Sequence, residues 1–306
     1  MAGRALVQWE ENRRNAPRAL TVDIYAGGPA PEGLDDVGFY QVPYAPSTQG
    51  VDERLDIIGR MPKLEVLQLT SAGYEHVLGL IPDSVTLCNG RGLHDASTAE
   101  HALSLILAAQ RDLPRWALAQ HGHRWGSAPL RSLADRRVVI IGYGSIGQAI
   151  ERRLLPFETE VVRVASRARP EEDVHGVAEL PELLPQADIV VLVTPLTERT
   201  RGLFGATEFA LLPDDALVVN VGRGPVLDTE ALLAQNGRVR AALDVTDPEP
   251  LPADHPLWDA PGVFVTPHVA GGSAAFYPRA RAFMDAQLAR WAAGEPLENV
   301  VRPGSR

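Results

Sequence analysis

The sequence predicts an α/β protein made of two doubly wound domains, each with a mainly parallel sheet. Three observations carry that expectation. A chain of 306 residues is too long for one ordinary small domain and long enough to bury two cores. Short apolar runs alternate with helix-length segments along most of its length. One of those runs leads straight into a glycine-rich loop that opens a helix. Composition agrees with a water-soluble globular protein, at 45% apolar and 22% charged residues. No stretch approaches the roughly twenty apolar residues of a membrane span, and the longest run, near residues 102–109, is interrupted by Ser104. The net charge of -10, with arginines scattered rather than clustered, disfavours nucleic acid and anionic membranes as partners. Cys88 is the single cysteine. It has no partner within the chain, and the first residues show no basic segment followed by an apolar core, so a cytoplasmic location is expected. No metal site is expected. Lys63 is the only lysine among abundant arginine, alanine and proline, a bias attributed to GC-rich codon usage.

Taken in order, residues 20–25, 38–42, 64–69 and 85–88 read as strands bounded by Pro, Gly and Asp turns, an α/β unit with no glycine fingerprint. Ser97-Thr98-Ala99-Glu100 fits a capping box and predicts a long helix that bends or ends near Pro114. Residues 137–141 read as a buried strand that enters the glycine loop, and further strands are expected at 160–165, 188–193, 216–221, 239–243 and 263–266. An amphipathic, arginine-rich helix over 274–293 has too little chain around it to form a domain, so it is expected to pack back on the N-terminal unit. The expected division is therefore 1–100 plus 275–306 for one domain and 101–274 for the other.

The loop Gly142-Tyr143-Gly144-Ser145-Ile146-Gly147 has the strand before it and the helix after it that a dinucleotide-binding motif requires. Gly142 permits the tight turn, Gly144 lets backbone approach a pyrophosphate, and Gly147 allows helix to pack on strand. The helix N-terminus supplies amides and a favourable dipole. About twenty residues on, where a carboxylate usually binds the ribose of NAD, the chain has Ser166-Arg167-Ala168-Arg169 and no acid before Glu171. An arginine there suits a 2'-phosphate, so NADP is expected in preference to NAD. The alternative is that both arginines are simply solvated and NAD is used.

Reduction of a 2-keto acid needs a cation for the carboxylate, a proton donor for the carbonyl oxygen and a group that tunes the donor. Three polar residues sit just past apolar strands, where sites collect in doubly wound sheets: Arg223 in Val-Gly-Arg-Gly, Asp244, and His268 in Thr-Pro-His. Glu249, framed by Pro248 and Pro250, is placed to bond one nitrogen of His268, fix its tautomer and support its charged form. The glycines beside Arg223 suggest close approach of a ligand. In isolation His268 reads as an ordinary satisfied histidine; its company with Arg223 and Glu249 makes it the expected acid/base.

Together these blocks resemble the D-isomer-specific 2-hydroxyacid dehydrogenase family. The match runs through the glycine loop, Thr194-Pro195-Leu196-Thr197 with Thr200-Arg201-Gly202, Asn220-Val221-Gly222-Arg223-Gly224, Asp244-Val245 with Glu249-Pro250-Leu251, and Thr266-Pro267-His268, in the family's order. It is dense from about residue 133 to 272, and looser at Ser71-Ala72-Gly73 and Thr98-Ala99-Glu100-His101. The resemblance implies two Rossmann-like doubly wound domains, a flavodoxin-like substrate domain and an NAD(P)-binding domain, with a cleft between them that closes to exclude water. It implies that Arg223 grips the substrate, that His268 exchanges the proton, and that Glu249 pairs with His268. Asp244 would lie near the nicotinamide carboxamide, Ala72 and Gly73 amides would help bind the substrate carboxylate, and Thr194-Pro195, Val221, Gly222 and Gly271 would line the cofactor groove. A homodimer is implied as well, since Trp125 matches a region that reaches across a dimer in relatives; a core tryptophan is the alternative.

Departures fall on the substrate side. Tyr74-Glu75-His76 follows Gly73 where an Asp or Asn pair is usual, and Asn89-Gly90-Arg91-Gly92 replaces an Asn-Thr-Pro-Gly type of turn. The glycines there are expected to serve the turn, with Arg91 open as a second cation. Lys63 lies outside the Ser71 loop, which disfavours phosphite oxidation, and Glu249 disfavours formate oxidation, where relatives carry Gln. Oxidoreduction of a small 2-keto or 2-hydroxy acid, of the glyoxylate/hydroxypyruvate reductase type, is the expected function. The alternative is a non-catalytic dinucleotide-sensing dimer of the corepressor type, which has no need of Arg223, Glu249 and His268 together.

Overall fold

The computed structural model describes residues 3–44 and 51–305. The chain divides into two compact units, Met1–His94 with Gly271–Arg306, and Asp95–Ala270. The change of unit falls at His94/Asp95 and at Ala270/Gly271, several residues before the 100/101 and 274/275 divisions expected.

In the first unit β1 (Gly3–Val7), β2 (Leu20–Ile24), β3 (Val37–Gln41), β4 (Val66–Gln68) and β5 (Thr86–Cys88) pair in parallel in the order β2-β1-β3-β4-β5. This is the flavodoxin-like order, which reverses at β1/β3. Strand β1 is not predicted by the sequence reading, because Gly3 and Arg4 dilute its apolar run. The order nevertheless places it inside the sheet, between β2 and β3, with Ala5, Leu6 and Val7 buried.

The second unit holds β6 (Arg137–Ile141), β7 (Glu160–Ala165), β8 (Val174–Gly176), β9 (Ile189–Leu192), β10 (Leu217–Asn220), β11 (Arg240–Leu243) and β12 (Val263–Val265). All are parallel, in the order β12-β11-β10-β9-β6-β7-β8. The order reverses between β6 and β9, and ligands bind outside the carboxyl ends of strands at such a point. Both faces are covered: Val139, Ile141, Val190 and Leu192 enter one apolar cluster, while Val138, Ile140, Ile189 and Val191 enter another. That is why these strands read as unbroken apolar runs rather than alternating ones. Each such buried side chain contributes about 1.5–3 kcal/mol.

The long helix spans Asp95–Gln110, so Ser97 is its third residue rather than its cap. The reason lies one residue earlier. The ring of His94 is bonded through Nδ1 to the Gly271 carbonyl (3.0 Å) and through Nε2 to that of Thr70 (2.9 Å), which fixes the chain immediately before Asp95. Asp112 then adopts a left-handed φ of 54°, and Pro114 falls in the first turn of a new helix, Leu113–His121.

The C-terminal helix, Phe276–Ala293, packs within the first unit as expected, Met284 and Leu288 joining Ala5, Val7 and Phe39. Trp291 lies over Gly3 and Gly38, where an added Cβ would stand 2.6 and 2.9 Å from the indole. The segment ends in β13 (Val300–Arg302), which pairs antiparallel with β5. Among the described residues no helix is long and apolar enough to cross a membrane, and no three His, Cys, Asp or Glu side chains converge as metal ligands.

Candidate active site

The glycine loop fills the carboxyl end of β6. Gly142 has φ +111°, and a Cβ on it would stand 2.7 Å from the Val193 backbone; one on Gly147 would stand 2.8 Å from the Gly142 carbonyl oxygen. Those two glycines serve turn and packing. Gly144 differs, because it is exposed and nothing lies within 4 Å of its Cβ direction. It immediately precedes the helix Ser145–Leu154, so open space faces helix-terminal amides, a cradle that fits a pyrophosphate. Just past the end of β9, Thr194 is buried and its hydroxyl has no partner among the described residues, an orphaned polar atom of the kind a bound ligand would satisfy. The residues therefore fit the group the motif implies.

At the end of β7, Ser166 and Arg167 are exposed. Arg169 is not equivalent to Arg167: its Nη2 donates to the Tyr143 carbonyl (3.1 Å) and its Nε to Glu172 (3.0 Å). The Tyr143 hydroxyl is bonded to the Glu151 carboxylate, and the Arg163 guanidinium pairs with Glu151 at 2.8 Å and lies 5.5 Å from the Tyr143 ring centre. Burial, then the Glu151 bond, pushes the Tyr143 hydroxyl up to about 12. This network ties the glycine loop to β7, the strand that Ser166 follows.

Arg223, Asp244 and His268 follow β10, β11 and β12, three adjacent strands in register, Asn220 opposite Leu243 and Leu243 opposite Val265. Asn220 shapes the first turn, its side chain accepting from the Gly222 amide and donating to the Arg223 carbonyl, each at 3.0 Å. The glycines flanking Arg223 are explained by protein rather than ligand. A Cβ on Gly222 would stand 2.8 Å from the Thr194 carbonyl oxygen, and one on Gly224 1.8 Å from that of Thr246. The expectation of close ligand approach is corrected accordingly. The Arg223 side chain is half-buried, and its Nη1 donates to the Gly222 carbonyl at 2.8 Å.

His268 Nδ1 lies 2.5 Å from Glu249 Oε1, and both side chains are partly exposed. An ionised carboxylate only accepts, so Nδ1 carries the hydrogen and Nε2 is left for proton exchange. His268 has φ +52°, a left-handed conformation rare outside glycine. Asp244 is 1% exposed, and its carboxylate is occupied by the chain itself: Thr266 Oγ1 (2.6 Å), the Val269 and Ala270 amides (2.9 Å each) and His101 Nε2 (3.2 Å). Burial acts to raise the carboxyl, but the bonds from His101, Thr266 and the two amides outweigh it and hold Asp244 below the usual carboxylate range. Sequence reasoning named Asn220, His101 and Thr266 within its motifs but gave them no role of their own. An Asn before Gly-x-Gly is a legible turn signal, whereas His101 and Thr266 are 165 positions apart.

In the first unit the loop Ser71-Ala72-Gly73 is held by its carbonyls. Those of Thr70, Ser71, Ala72 and Gly73 bond to His94, the Gly90 amide, Asn89 and the Ser71 hydroxyl in turn. Among the described residues no acceptor is bonded to the Ala72 or Gly73 amide. A Cβ on Gly90 would stand 2.2 Å from the Thr70 oxygen, and Gly92 has φ +95°, so these glycines serve the turn. Gly271 is partly buried, with its carbonyl on His94. Trp125 is fully exposed, which excludes a core role within this chain.

The model of the family described as D-isomer specific 2-hydroxyacid dehydrogenase, NAD binding domain, matches residues 103–270. Glyoxylate/hydroxypyruvate reductase B of Escherichia fergusonii is 35% identical over 244 residues, 74% of this chain and 74% of that protein. A D-isomer specific 2-hydroxyacid dehydrogenase of Xanthobacter autotrophicus, solved with NADPH and MES, superposes with a TM-score of 0.80 at 30% identity, over 99% of each chain. An NADPH-dependent glyoxylate/hydroxypyruvate reductase of Sinorhizobium meliloti, solved with NADP and sulfate, gives 0.80 at 29%, over 99% of this chain and 100% of that one.

Proposed function

This chain belongs to the D-isomer-specific 2-hydroxyacid dehydrogenase family and is an NAD(P)-dependent enzyme of that type; from that premise we propose that it reduces a small 2-keto acid, of the glyoxylate or hydroxypyruvate kind, with NADP(H) preferred. The observation that carries the reading is the His268–Glu249 pair, 2.5 Å apart past the end of β12. Such a pair presents one imidazole nitrogen as a proton donor while the other is held.

When bound, the reduced nicotinamide supplies the hydride that reaches the carbonyl carbon. Arg223 binds the substrate carboxylate and polarises the carbonyl oxygen; in the first unit the Ala72 and Gly73 amides, which bond no acceptor among the described residues, are donors suited to a carboxylate. His268 Nε2 gives its proton to the carbonyl oxygen as negative charge develops there, and Glu249 stabilises the ring before and after that transfer. Arg167, exposed with no acidic neighbour closer in sequence than Glu171, clamps the 2'-phosphate, with the Ser166 hydroxyl beside it. The homodimer is part of the same proposal. The helix Leu113–His121 has no buried residue, and Leu118 and Trp125 are exposed by 69% and 103%, an apolar surface suited to a second copy.

The test is loss of NADPH absorbance with glyoxylate, hydroxypyruvate, phenylpyruvate and branched 2-keto acids. Turnover of at least one is expected, with kcat/KM higher for NADPH than for NADH. Tight NADPH binding without turnover of any would favour a dinucleotide sensor instead.

A further inference from the structure

Two members of the polar cluster around Asp244, His101 and Thr266, have no part in the substrate or cofactor binding described above. His101, on the helix Asp95–Gln110, places Nε2 2.9 Å from Thr266 Oγ1 and 3.2 Å from Asp244 Oδ1, while Thr266 Oγ1 lies 2.6 Å from the same Asp244 oxygen. The direction of these bonds follows from chemistry. A carboxylate has no hydrogen to give, so the Thr266 hydroxyl donates to Asp244, and its lone pairs are left to accept the His101 Nε2 hydrogen.

Asp244 in turn defines the His268 turn from both sides. Its carbonyl accepts the His268 amide at 2.7 Å, and its carboxylate accepts the next two amides, those of Val269 and Ala270, at 2.9 Å each. A left-handed φ of +52° costs energy for any residue with a side chain, histidine included, and these three bonds offset that cost. Rotation of the Asp244 carboxylate would release two of them together. Among the described residues His101 is the one side chain at ion-pair distance from Asp244, and its own side chain is 22% exposed.

We propose that His101 is a positioning residue for His268: through Thr266 it holds the Asp244 carboxylate in the orientation that locks the left-handed turn presenting the imidazole. His101 does not touch the reacting atoms. It acts at two removes, by denying Asp244 the freedom to turn away from the Val269 and Ala270 amides. The catalytic part of the idea rests on the keto-acid reductase reading above, whereas its structural part does not.

The experiment compares wild type with His101→Ala, His101→Gln, Thr266→Val and Thr266→Ser in the full chain. One arm reads NADPH oxidation with glyoxylate, and the other reads hydrogen exchange of the Val269 and Ala270 amides, which needs no substrate. His101→Ala and Thr266→Val are expected to lower kcat by roughly 10²-fold, the scale of an ångström-sized misplacement of a reacting group. The KM for NADPH should stay within about twofold. His101→Gln and Thr266→Ser, which keep a donor in place, should recover most of the loss. The acid limb of kcat/KM should move to higher pH in the damaging variants, because a carboxylate stripped of donors is protonated more readily and then releases its amides. Faster exchange at Val269 and Ala270 should accompany these changes. Unchanged exchange, an unshifted pH profile and a loss confined to thermal stability would overturn the proposal and leave His101 a packing residue. If wild type turns over no keto acid, the reductase reading fails, and the exchange arm still decides the role of His101.

Discussion

The Nδ1 of His268 and the Oε1 of Glu249 are 2.5 Å apart although the residues lie 19 positions apart and on opposite sides of β12 in sequence. The contact leaves only Nε2 free to exchange a proton. Replacing His268 with Ala should therefore lower kcat by about 10²–10⁴-fold, the usual contribution of a general acid, with the dissociation constant for NADPH nearly unchanged. Glu249→Gln should lower kcat by a factor at the lower end of that range, on the order of 10²-fold, since the amide still offers an acceptor but no charge. Single-turnover kinetics with fluorescence titration of NADPH separate the two effects. An unchanged kcat in His268→Ala would refute the assignment.

Arg167 and Arg169 are two residues apart yet differ in freedom: Arg169 is bonded to the Tyr143 carbonyl and to Glu172, whereas Arg167 stands exposed. Arg167→Ala should raise the KM for NADPH by roughly 10–100-fold, the equivalent of about 1.5–3 kcal/mol for a charge-assisted contact, and leave that for NADH within twofold. Steady-state kinetics with both cofactors check this. Equal losses with NADH would place the arginine elsewhere.

How much of this was legible in the sequence depended on whether the signal was local. Strands β6 and β9 to β11 were legible because burial on both faces leaves apolar runs, whereas β7 was legible from its valines despite Arg163, and the edge strand β12 from its three apolar residues. Strands β8 and β13 were not, since each is a three-residue edge strand defined by its partner, not by its own pattern. The glycines beside Arg223 show the same limit. Sequence marks a position where no side chain fits, but only the fold reveals that the crowding atoms belong to Thr194 and Thr246. Asp244 was legible as a polar residue at a strand end, while its use as the template of the His268 turn depends on Thr266, Val269, Ala270 and His101.

Gly144 and Gly224 offer a matched pair of tests. Nothing lies within 4 Å of a Cβ on Gly144, whereas one on Gly224 would stand 1.8 Å from the Thr246 carbonyl oxygen. Gly224→Ala should destabilise the fold by about 1–3 kcal/mol or more, as overpacking against backbone does. Gly144→Ala should leave thermal stability close to wild type and weaken NADPH binding by filling the cradle. Differential scanning calorimetry together with NADPH titration checks both, and a stability loss in Gly144→Ala would argue against an open ligand face.

Burial pushes the Cys88 thiol up to about 12 from its ordinary value of 9.0, and the residue is 0% exposed. The neutral thiol is thus favoured in the folded state. Its contribution to stability is complete below pH 9.0 and is lost as pH rises toward about 12, because the unfolded thiol ionises first. Native protein at pH 8.5 should resist iodoacetamide and react fully in urea, as mass spectrometry would read. Rapid labelling of the native chain would contradict the burial.

The helix Leu113–His121 buries none of its own residues, yet it and the segment after it expose Leu113, Leu118, Trp125 and Leu130 by 52%, 69%, 103% and 37%. A helix with no fully buried residue gains less from tertiary packing, which is where most helical stability comes from. A second copy of the chain supplies the missing partner in the dimer proposed above. Leu118→Arg combined with Trp125→Glu should convert a dimer to a monomer in sedimentation velocity, because each change puts a charge into an apolar contact. Circular dichroism should then show a loss confined to this helix, with the doubly wound cores intact, since no residue of it enters their apolar clusters. A wild-type chain that sediments as a monomer at micromolar concentration would remove the dimer, and with it this account of why the helix is stable.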